Sequence, residues 1–342
     1  MFNMKTAVIF GGSGFIGMFF AKHLLDNFSY KKVYILDIDA ANDKEFAFRR
    51  KQFLECKEKI EFIKCDVRNE ISWIPNEEIS LIANFAAIHR EPGHENFEYY
   101  ETNILGAENV CNWADKILCN SIIFTSSIAP YGIEDRQKNE HSMPVPATAY
   151  GGSKLVAEKI HLAWREKQGE KRSLIITRPG VVFGPGEGGN VTRLIKAIKK
   201  RYFVYIGNQD VRKAGVYVKE LCNAMTWALE ESSSRDKKFI LFNMSMDPGP
   251  SIKEYVFSIS KVLDIKSFIP RVPFGFLLFI SYFIDLFAKP LKIKHPFSPV
   301  RVNKLVKSND IKPLFLLEND YRFLYNLEDA LSDWKNDCPE EW

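Results

Sequence analysis

A glycine-rich turn directly after the first apolar run is the feature that most limits how this chain can fold. Residues 6–10 form a strand-like run, three evenly spaced glycines follow, and residues 18–25 then continue as a helical pattern. A strand, a tight glycine turn and a helix N-terminus in this order allow backbone amide groups to approach a pyrophosphate. The turn therefore predicts a dinucleotide site. The residues expected to contact the dinucleotide here are Gly11, Gly14, Phe15, Ile16 and Gly17.

Short apolar runs recur through the first half of the chain, with helical patterns between several of them. Alternating strands and helices favour parallel pairing, with helices on both faces of an open sheet. We therefore predict an α/β fold, in which a doubly wound parallel (Rossmann) sheet is joined to a smaller C-terminal α/β substrate lobe. The predicted domains are 1–178, with the dinucleotide site and the catalytic residues, and 179–342, the substrate lobe, which is interleaved with it. The predicted strands are residues 6–10, 33–36, 60–63, 81–85, 122–125 and 174–177.

Acidic residues follow two of the predicted strands. Asp37 lies about twenty residues after the last glycine, where a carboxylate can accept hydrogen bonds from ribose hydroxyl groups. Because that carboxylate repels a 2′-phosphate, the sequence favours NAD over NADP. Arg49 and Arg50 would weaken this preference if they lay close by, but their distance in the chain favours exposed helix positions. Asp66 and Val67 follow the third strand, where an acid can bond adenine or simply form a turn.

Tyr150 and Lys154 lie four residues apart at the start of a helical pattern. This spacing places both side chains on one helix face, where the ammonium group stabilises a phenolate and lowers the tyrosine pKa. A tyrosine tuned in this way can exchange a proton with a substrate hydroxyl group. Ser126 and Ser127 end the fifth predicted strand, so we expect them to meet the tyrosine at the carboxyl edge of the sheet.

Composition argues against several other classes of protein. The formal net charge of +4 comes from nearly balanced acids and bases without a basic block, which disfavours nucleic-acid binding. The six cysteines are scattered without CxxC or metal-ligand spacing, so we expect no metal site. The N-terminus has no signal-peptide pattern, and the expected compartment is the cytoplasm.

The longest apolar run, residues 273–288, is too short to cross a bilayer. We expect a helix that packs inside the substrate lobe. The aromatic residues of the run, and the lysines at 289, 292 and 294, leave a second interpretation open, in which residues 273–294 make peripheral contact with a membrane surface.

Eight ordered segments make the chain similar to the extended short-chain dehydrogenase/reductases, the NAD-dependent epimerase/dehydratase group that includes UDP-galactose 4-epimerase. The resemblance covers nearly the whole chain. It implies an NAD cofactor, a nucleotide-sugar substrate and a homodimer held by the helices that carry Asn103 and Tyr150. The matching segments are GGSGFIG at 11–17, Asp37, Asp66-Val67, NFAA at 84–87, NILGAENV at 103–110, TSSIAPYG at 125–132, Tyr150 with Lys154, and RPGVVFGPG at 178–186.

The resemblance also implies roles for individual residues. Tyr150 would act as acid and base on a sugar hydroxyl group, and Ser127 would hydrogen-bond the same sugar oxygen. Lys154 would lower the pKa of Tyr150 and hold the nicotinamide ribose, while Asn103 would support the active-site helix. His89 falls where epimerases carry a lysine near the cofactor. Two further residues would line the cofactor groove: Ala86 and Ala87.

Two departures from the family pattern bear on the reaction. Sugar 4,6-dehydratases carry an Asp-Glu pair after the Ser/Thr, but this chain has Ile128 and Ala129, which cannot move a proton, so dehydration is disfavoured. In the substrate lobe, residues 189–194 resemble a segment that meets a nucleotide diphosphate, whereas residues 213–218 lack the usual arginine. Either Lys213 or Arg212 would take its place, and lysine offers a point charge instead of a fork. The expected substrate-binding residues are Ser127, Asn190, Arg193, Arg212 and Lys213, with Arg301 as a further candidate.

The sequence therefore predicts an NAD-dependent nucleotide-sugar epimerase in surface polysaccharide synthesis. The predicted reaction inverts C4 of a UDP-hexose or UDP-N-acetylhexosamine through a 4-keto intermediate. Two alternatives stay open: a nucleotide 4-keto-sugar reductase, and an oxidoreductase similar to 3β-hydroxysteroid dehydrogenases that acts on a lipid-linked or apolar alcohol. An NAD-binding regulator without catalysis is disfavoured, because Ser127, Tyr150 and Lys154 are all present.

Overall fold

Seven strands form the central sheet of the computed structural model, which describes residues 5–40, 47–91, 93–132, 136–265, 269–288 and 307–342. All the strand pairs of this sheet are parallel. Its strands are β1 (Lys5–Phe10), β2 (Tyr30–Asp37), β3 (Ile60–Lys64), β4 (Leu81–Asn84), β5 (Ser121–Thr125), β6 (Ser173–Pro179) and β10 (Phe239–Met244). Their order across the sheet is β3-β2-β1-β4-β5-β6-β10.

Helices cover both faces of this sheet and build the second lobe. Their bounds are α1 (Phe15–Asn27), α2 (Ala47–Glu55), α3 (Asn96–Tyr100), α4 (Gly106–Lys116), α5 (Ala149–Glu166), α6 (Asn190–Lys199), α7 (Val218–Ser234), α8 (Ile252–Val262), α9 (Phe274–Ala288), α10 (Leu314–Glu318) and α11 (Leu327–Asp337). A π-helical turn, Glu101–Leu105, joins α3 to α4. Two small parallel pairs complete the lobe: β7 (Val181–Phe183) with β9 (Gly215–Tyr217), and β8 (Tyr205–Ile206) with β11 (Arg271–Val272).

The strand sequences are apolar throughout because both faces of the sheet are buried. Side chains alternate between the two faces of a strand. Ala7 and Ile9 of β1 therefore join the core that includes α1 and α7, whereas Val8 and Phe10 join the core that includes α4 and α5. A parallel sheet covered on both faces requires such continuous apolar runs. The predicted doubly wound fold is confirmed.

All six strands predicted from the sequence are present, with bounds that differ by a few residues. The seventh, β10, pairs with β6 and comes from the segment 179–342, so the second half of the chain extends the sheet. The strand order reverses between β1 and β4, and ligands bind at such a switch point, beyond the carboxyl ends of the strands. The turns that follow β1 and β4 therefore position the candidate site.

The apolar run 273–288 forms a helix, α9, but the expectation that it packs inside the lobe is wrong for one of its faces. Phe276, Phe279 and Tyr282 are 59 %, 70 % and 59 % exposed, because only the opposite side of the helix, including Ser281, turns inward. Within the part of the chain that the structure describes, no helix is both long enough and apolar enough to cross a bilayer. The lysines at 289, 292 and 294, and Arg301, lie outside the described residues.

Candidate active site

The turn after β1 is shaped by glycines that have no room for a side chain. Gly11 has a φ of +72°, and a Cβ there would lie 2.6 Å from the backbone nitrogen of Ala86. A Cβ on Gly17 would lie 2.5 Å from the carbonyl oxygen of Gly11, so α1 can approach the turn only with glycine at this position. Gly14 is the N-cap residue of α1. This tight turn at a helix N-terminus fits a dinucleotide pyrophosphate. The first helical turn begins with Phe15 and Ile16.

Asp37 ends β2 beside this glycine turn. Its carboxylate accepts hydrogen bonds from the backbone amides of Ser13 at 3.1 Å and Ile38 at 2.8 Å. Burial raises the pKa of Asp37, and these two hydrogen bonds and the charge of Arg49 oppose that effect. Arg49 is half-buried, with Nη1 at 3.5 Å from the Ser13 carbonyl oxygen, so its predicted exposed position is wrong. The reason is that α2 packs on α1; Arg50 is exposed, as expected.

Asp66 and Val67 form the turn after β3. Arg68 holds the Asp66 carboxylate through Nη2 at 2.6 Å and Nε at 3.0 Å, and this ion pair lowers the pKa of Asp66. Val67 is buried against Gly106, and its carbonyl oxygen accepts a hydrogen bond from Asn109 at 2.9 Å. The backbone of the turn is therefore fixed by α4, and the adenine contact of Asp66 stays a prediction.

Asn103 fastens the loop after β4 to the helix of Tyr150. Its side-chain oxygen accepts a hydrogen bond from the Ile88 amide at 3.0 Å. Its amide nitrogen donates to the Ile88 carbonyl at 3.2 Å and to the Ser153 hydroxyl group at 2.9 Å. Asn103 is buried in a π-helical turn, an irregularity that is frequent at functional sites. Asn103 therefore links the loop after β4, where the cofactor is expected, to helix α5.

His89 follows Ala86 and Ala87 in the same loop. Its side chain is exposed at the rim, yet partial desolvation lowers its pKa, and the charges of Arg90 and Lys154 lower it further. A histidine whose lowered pKa favours the neutral imidazole therefore stands where the family resemblance places a lysine. It can exchange hydrogen bonds, but it does not supply a fixed positive charge.

Ser127 and Tyr150 are brought together by a close approach of α5 to the loop after β5. Thr148 caps α5 by accepting a hydrogen bond from the Gly151 amide at 3.2 Å, which places Tyr150 in the first turn. A Cβ on Gly151 would lie 2.7 Å from the Ala129 carbonyl oxygen, so glycine permits this approach. The Ser127 side chain is near enough to Tyr150 to affect its pKa, and its hydroxyl oxygen accepts a hydrogen bond from the Ala129 amide at 3.1 Å.

The pKa values of Tyr150 and Lys154 are both far from their ordinary range. Burial raises the pKa of Tyr150 to about 12, and the hydrogen bond with Ser127 opposes the shift. Burial lowers the pKa of Lys154 to about 7, and the charge of Glu158 opposes that shift. The predicted lowering of the Tyr150 pKa is therefore wrong in this structure, because burial outweighs the effect of Ser127 and the charge of Glu91 raises the pKa further. The Lys154 ammonium lies 4.3 Å from the centre of the Phe124 ring.

A buried network behind these residues was not foreseen from the sequence. The Glu158 carboxylate accepts hydrogen bonds from Arg178 at 2.8 and 2.6 Å and from Ser126 at 2.5 Å. Arg178 also donates to the Tyr131 hydroxyl group at 2.8 Å, which in turn donates to Asn243 at 2.9 Å. The four-residue spacing from Lys154 to the glutamate, and an arginine ending a buried strand, were the signals that could have revealed it.

A cleft of about 260 Å³ opens beside Ser127. Its walls come from the loop after β5, the residues just before α5 and the segment 307–311. Ile128 and Ala129 lie in its wall, at the position where dehydratases carry their acid pair. The charged residues that line it are Glu91, Arg136, Lys138, Lys307 and Asp310.

The predicted diphosphate contact at the start of α6 is already engaged by the chain itself. Asn190 accepts a hydrogen bond from Arg193 at 2.7 Å. The Glu187 carboxylate accepts from the Thr192 amide at 3.0 Å and from its hydroxyl group at 2.8 Å. Burial raises the pKa of Glu187, and these hydrogen bonds oppose that effect. A diphosphate at this helix start would have to compete with an internal carboxylate.

The side chains of Arg212 and Lys213 make contacts in different parts of the second lobe. Arg212 donates to the Gly249 carbonyl at 2.5 Å and lies 3.9 Å from Glu254, near the start of α8. Lys213 donates to the carbonyl of Lys307, a cleft residue, at 2.5 Å, and burial lowers the pKa of Lys213 to about 8. Lys213 therefore borders the cleft near Ser127, whereas the contacts of Arg212 are made elsewhere in the lobe.

Comparisons with known proteins find relatives among epimerases and dehydrogenases. Over 246 residues the chain is 28 % identical to N-acetyl-α-D-glucosaminyl-diphospho-ditrans,octacis-undecaprenol 4-epimerase of Escherichia coli O157:H7, covering 72 % of this chain and 73 % of the relative. It is 24 % identical to a decarboxylating sterol-4-α-carboxylate 3-dehydrogenase of Candida albicans, covering 88 % and 87 %. The crystal structure of UDP-glucuronic acid 4-epimerase from Bacillus cereus with NAD superposes with a TM-score of 0.74 at 17 % identity, covering 98 % and 99 %.

The family model of the NAD dependent epimerase/dehydratase family matches residues 7–243, which include the glycine turn, Asp37, Ser127, Tyr150 and Lys154. This span contains the whole central sheet except the first residues of β1 and the last of β10. The chain is therefore an enzyme of the NAD dependent epimerase/dehydratase family, and its cofactor is NAD.

Proposed function

We propose that this enzyme is a 4-epimerase of a sugar carried on a diphosphate, a hexose or an N-acetylhexosamine. The observation that carries the proposal is the cleft lined by Ser127, beside the first turn of α5 that carries Tyr150, with Ile128 and Ala129 in its wall in place of proton-moving residues. Such a site can remove and return one proton at one hydroxyl group, but it offers no acid for the loss of water at that position.

Each residue of the site would have its own role in the reaction. Tyr150 takes the proton of the C4 hydroxyl group and later returns it, while Ser127 donates a hydrogen bond to the same oxygen. Lys154, one helical turn away, would offer a donor to the cofactor ribose, and in its protonated form it would favour the phenolate. Bound NAD supplies a reversible hydride acceptor for the C4 carbon. The residues proposed to hold NAD are Gly11, Gly14, Phe15, Ile16, Gly17, Asp37, Asp66, Val67, Ala86, Ala87, His89 and Asn103.

Two carriers are compatible with a diphosphate-linked sugar. A nucleotide is supported by the fold likeness to UDP-sugar epimerases. A polyprenol is supported by the Escherichia coli relative, whose name specifies an undecaprenol-linked substrate, and by Glu187, which already engages the helix start predicted to meet a nucleotide diphosphate. Lys213, beside the cleft, is the proposed diphosphate contact for either carrier, with Asn190, Arg193 and Arg212 as weaker candidates.

A second candidate function is net oxidation or reduction, either as a 4-keto-sugar reductase or on an apolar alcohol. The Candida albicans relative, a sterol dehydrogenase, favours it. The two functions differ in cofactor balance, because an epimerase returns the hydride to the substrate and an oxidoreductase releases changed cofactor. An epimerase therefore converts substrate without added cofactor and without a change in absorbance of the nicotinamide.

We also propose that the enzyme is a cytoplasmic homodimer. Phe97 of α3, Leu105 of the π-helical turn and Val156 of α5 are exposed apolar side chains on the helices that carry or adjoin Asn103 and Tyr150. Packing these faces of two copies together would remove the apolar side chains from water. Light scattering of the purified protein at several concentrations measures the state directly, and a monomer throughout would reject the dimer.

The proposed function is tested with purified protein and no added cofactor. Dinucleotide is first released and assayed, and the protein is then incubated with UDP-glucose, UDP-galactose, their N-acetyl forms and a polyprenyl diphosphate N-acetylglucosamine. Proton NMR of the anomeric region follows the sugars. Formation of a C4 epimer with NAD retained is the expected result. Turnover that requires added cofactor and stops when it is consumed would reject epimerisation in favour of an oxidoreductase.

A further inference from the structure

Helix α9 carries a stripe of aromatic side chains that faces away from the protein. Phe276, Phe279 and Tyr282 are spaced by three residues, so they lie along one side of the helix, and each is more than half exposed. We call these three residues the aromatic stripe. Exposed apolar patches of this kind are uncommon on monomeric proteins and mark contact surfaces.

The stripe is not continuous with the hydrophobic core. Of the apolar side chains of α9 that the structure describes, none belongs to the clusters of buried residues that form the two cores of the sheet and the small cluster near Tyr131. On the opposite side of the helix, Ser281 is buried and donates to the Leu278 carbonyl of the same helix at 2.7 Å. The aromatic stripe is therefore the exposed side of α9.

Positive charge lies at the C-terminal end of helix α6. The strand that follows α6 pairs with the strand that precedes α9. The pair β8 and β11 joins the C-terminal end of α6 to the start of α9, with the Tyr205 amide donating to the Pro270 carbonyl at 2.9 Å. Lys196, Lys200 and Arg201 are exposed at that end of α6. We call these three residues the basic cluster. In sequence, α9 is also followed by lysines at 289, 292 and 294.

We propose that the aromatic stripe and the basic cluster together dock the enzyme on the surface of an anionic lipid bilayer. Aromatic side chains enter the interface between headgroups and acyl chains, and nearby basic side chains attract anionic headgroups. The docking is peripheral, because α9 is too short to span. A membrane surface is favoured over a protein partner because exposed aromatic side chains and basic side chains are the two features that anionic bilayers attract.

Docking would hold the enzyme at the surface in which a polyprenol-linked substrate is anchored. This consequence rests on the proposed function and on its polyprenol-linked substrate. The docking itself does not, because it concerns only the outer surface of the lobe.

The test is co-sedimentation of the full-length protein with vesicles of phosphatidylcholine alone and of phosphatidylcholine mixed with phosphatidylglycerol. We expect the wild-type protein to bind the anionic vesicles. The double variant Phe276→Ser/Phe279→Ser should have a partition coefficient that is lower by at least about tenfold. Lys196→Glu/Lys200→Glu should weaken binding to the anionic vesicles at low salt more than at high salt. The matched control is Ile74→Ser/Leu118→Ser, which removes two exposed apolar side chains from the first domain.

Circular dichroism and retained NAD are measured for every variant, so that loss of folding is not mistaken for loss of docking. Equal sedimentation of wild-type protein and the stripe variant would overturn the proposal. A second pair of results would also overturn it: wild-type protein binds neither kind of vesicle, and the stripe variant has a different oligomeric state in light scattering. The stripe would then be a contact between protein chains. Conversion of soluble UDP-sugars, measured separately, tests the proposed function and is expected to be the same in the stripe variant.

Discussion

The Glu158 carboxylate and the Arg178 guanidinium form a buried ion pair one helical turn beyond Lys154. Two hydrogen bonds of 2.8 and 2.6 Å join them, and both side chains are about 5 % exposed or less. Helix α5 thus carries Tyr150, Lys154 and Glu158 at four-residue intervals, from its first turn to the buried ion pair. The pair fixes this face of α5 against β6, and Ser126 connects it to the loop that carries Ser127.

Replacing one partner of this pair should be strongly destabilising. Arg178→Met leaves the Glu158 carboxylate buried without its counter-ion, so we expect the free energy of unfolding to fall by about 3–5 kcal/mol. Urea denaturation measures the change. The double variant Glu158→Gln/Arg178→Met should lose less than the sum of the single losses, because neither charge is then left alone. A loss below about 1 kcal/mol for the single variant would contradict the pairing.

The buried Lys154 predicts a particular pH dependence of stability. Its pKa is about 7 in the folded protein, compared with an ordinary value of 10.5, so the unfolded chain binds more protons between these pH values. Stability from this group therefore rises with pH across that window and is lowest below it. The stability gain of Lys154→Met over wild-type protein should be largest near about pH 6 and smaller near about pH 9.5. Thermal unfolding at both pH values, with cofactor removed, checks this; a gain that grows with pH would contradict it.

Asp37 should control the choice between NAD and NADP. Its carboxylate is held by the Ser13 amide, and the half-buried Arg49 lies beside the same residue. Asp37→Asn removes the charge that repels a 2′-phosphate and leaves the arginine in place. We expect the ratio of dissociation constants for NADPH and NADH to fall about tenfold or more, as measured by fluorescence titration. An unchanged ratio would mean that the adenosine ribose lies elsewhere.

The carboxylate of Glu187 should compete with anions at the start of α6. Glu187→Ala removes its hydrogen bonds to Thr192, so we expect a loss of about 1 kcal/mol in unfolding free energy, as for other helix caps. The same change should tighten the binding of UDP, measured by calorimetry, because the helix N-terminus is then free of negative charge. Weaker UDP binding in the variant would instead assign Glu187 a direct part in holding the nucleotide.

Much of the fold could be predicted from the sequence, because the local residue pattern of these segments matches the structure that they adopt in the folded protein. The run 6–10 and the glycines that follow can form only a strand and a tight turn, and the structure has both. Strand β10 was missed because it follows the long helix α7 in a segment where the strand–helix alternation had already lapsed.

The electrostatics of the site could not be derived in the same way. Spacing predicted that Tyr150 and Lys154 share a helix face, but it could not give their burial, which dominates both pKa values. Likewise, Arg49 approaches Ser13 only because α2 folds back onto α1, and Glu187 engages α6 through a loop geometry that no motif encodes. Interactions between segments distant in the chain require the packed structure.

The most direct test of the central claim is the effect of Tyr150→Phe on turnover. This change removes only the hydroxyl group of Tyr150, and Tyr100→Phe, which removes the hydroxyl group of an exposed tyrosine on helix α3, is the matched control. We predict that the epimerisation rate of Tyr150→Phe falls by about a hundredfold to ten-thousandfold, while bound NAD and the melting temperature stay at the wild-type level. The control should keep its rate. A Tyr150→Phe variant that turns over as fast as wild-type protein would contradict the account.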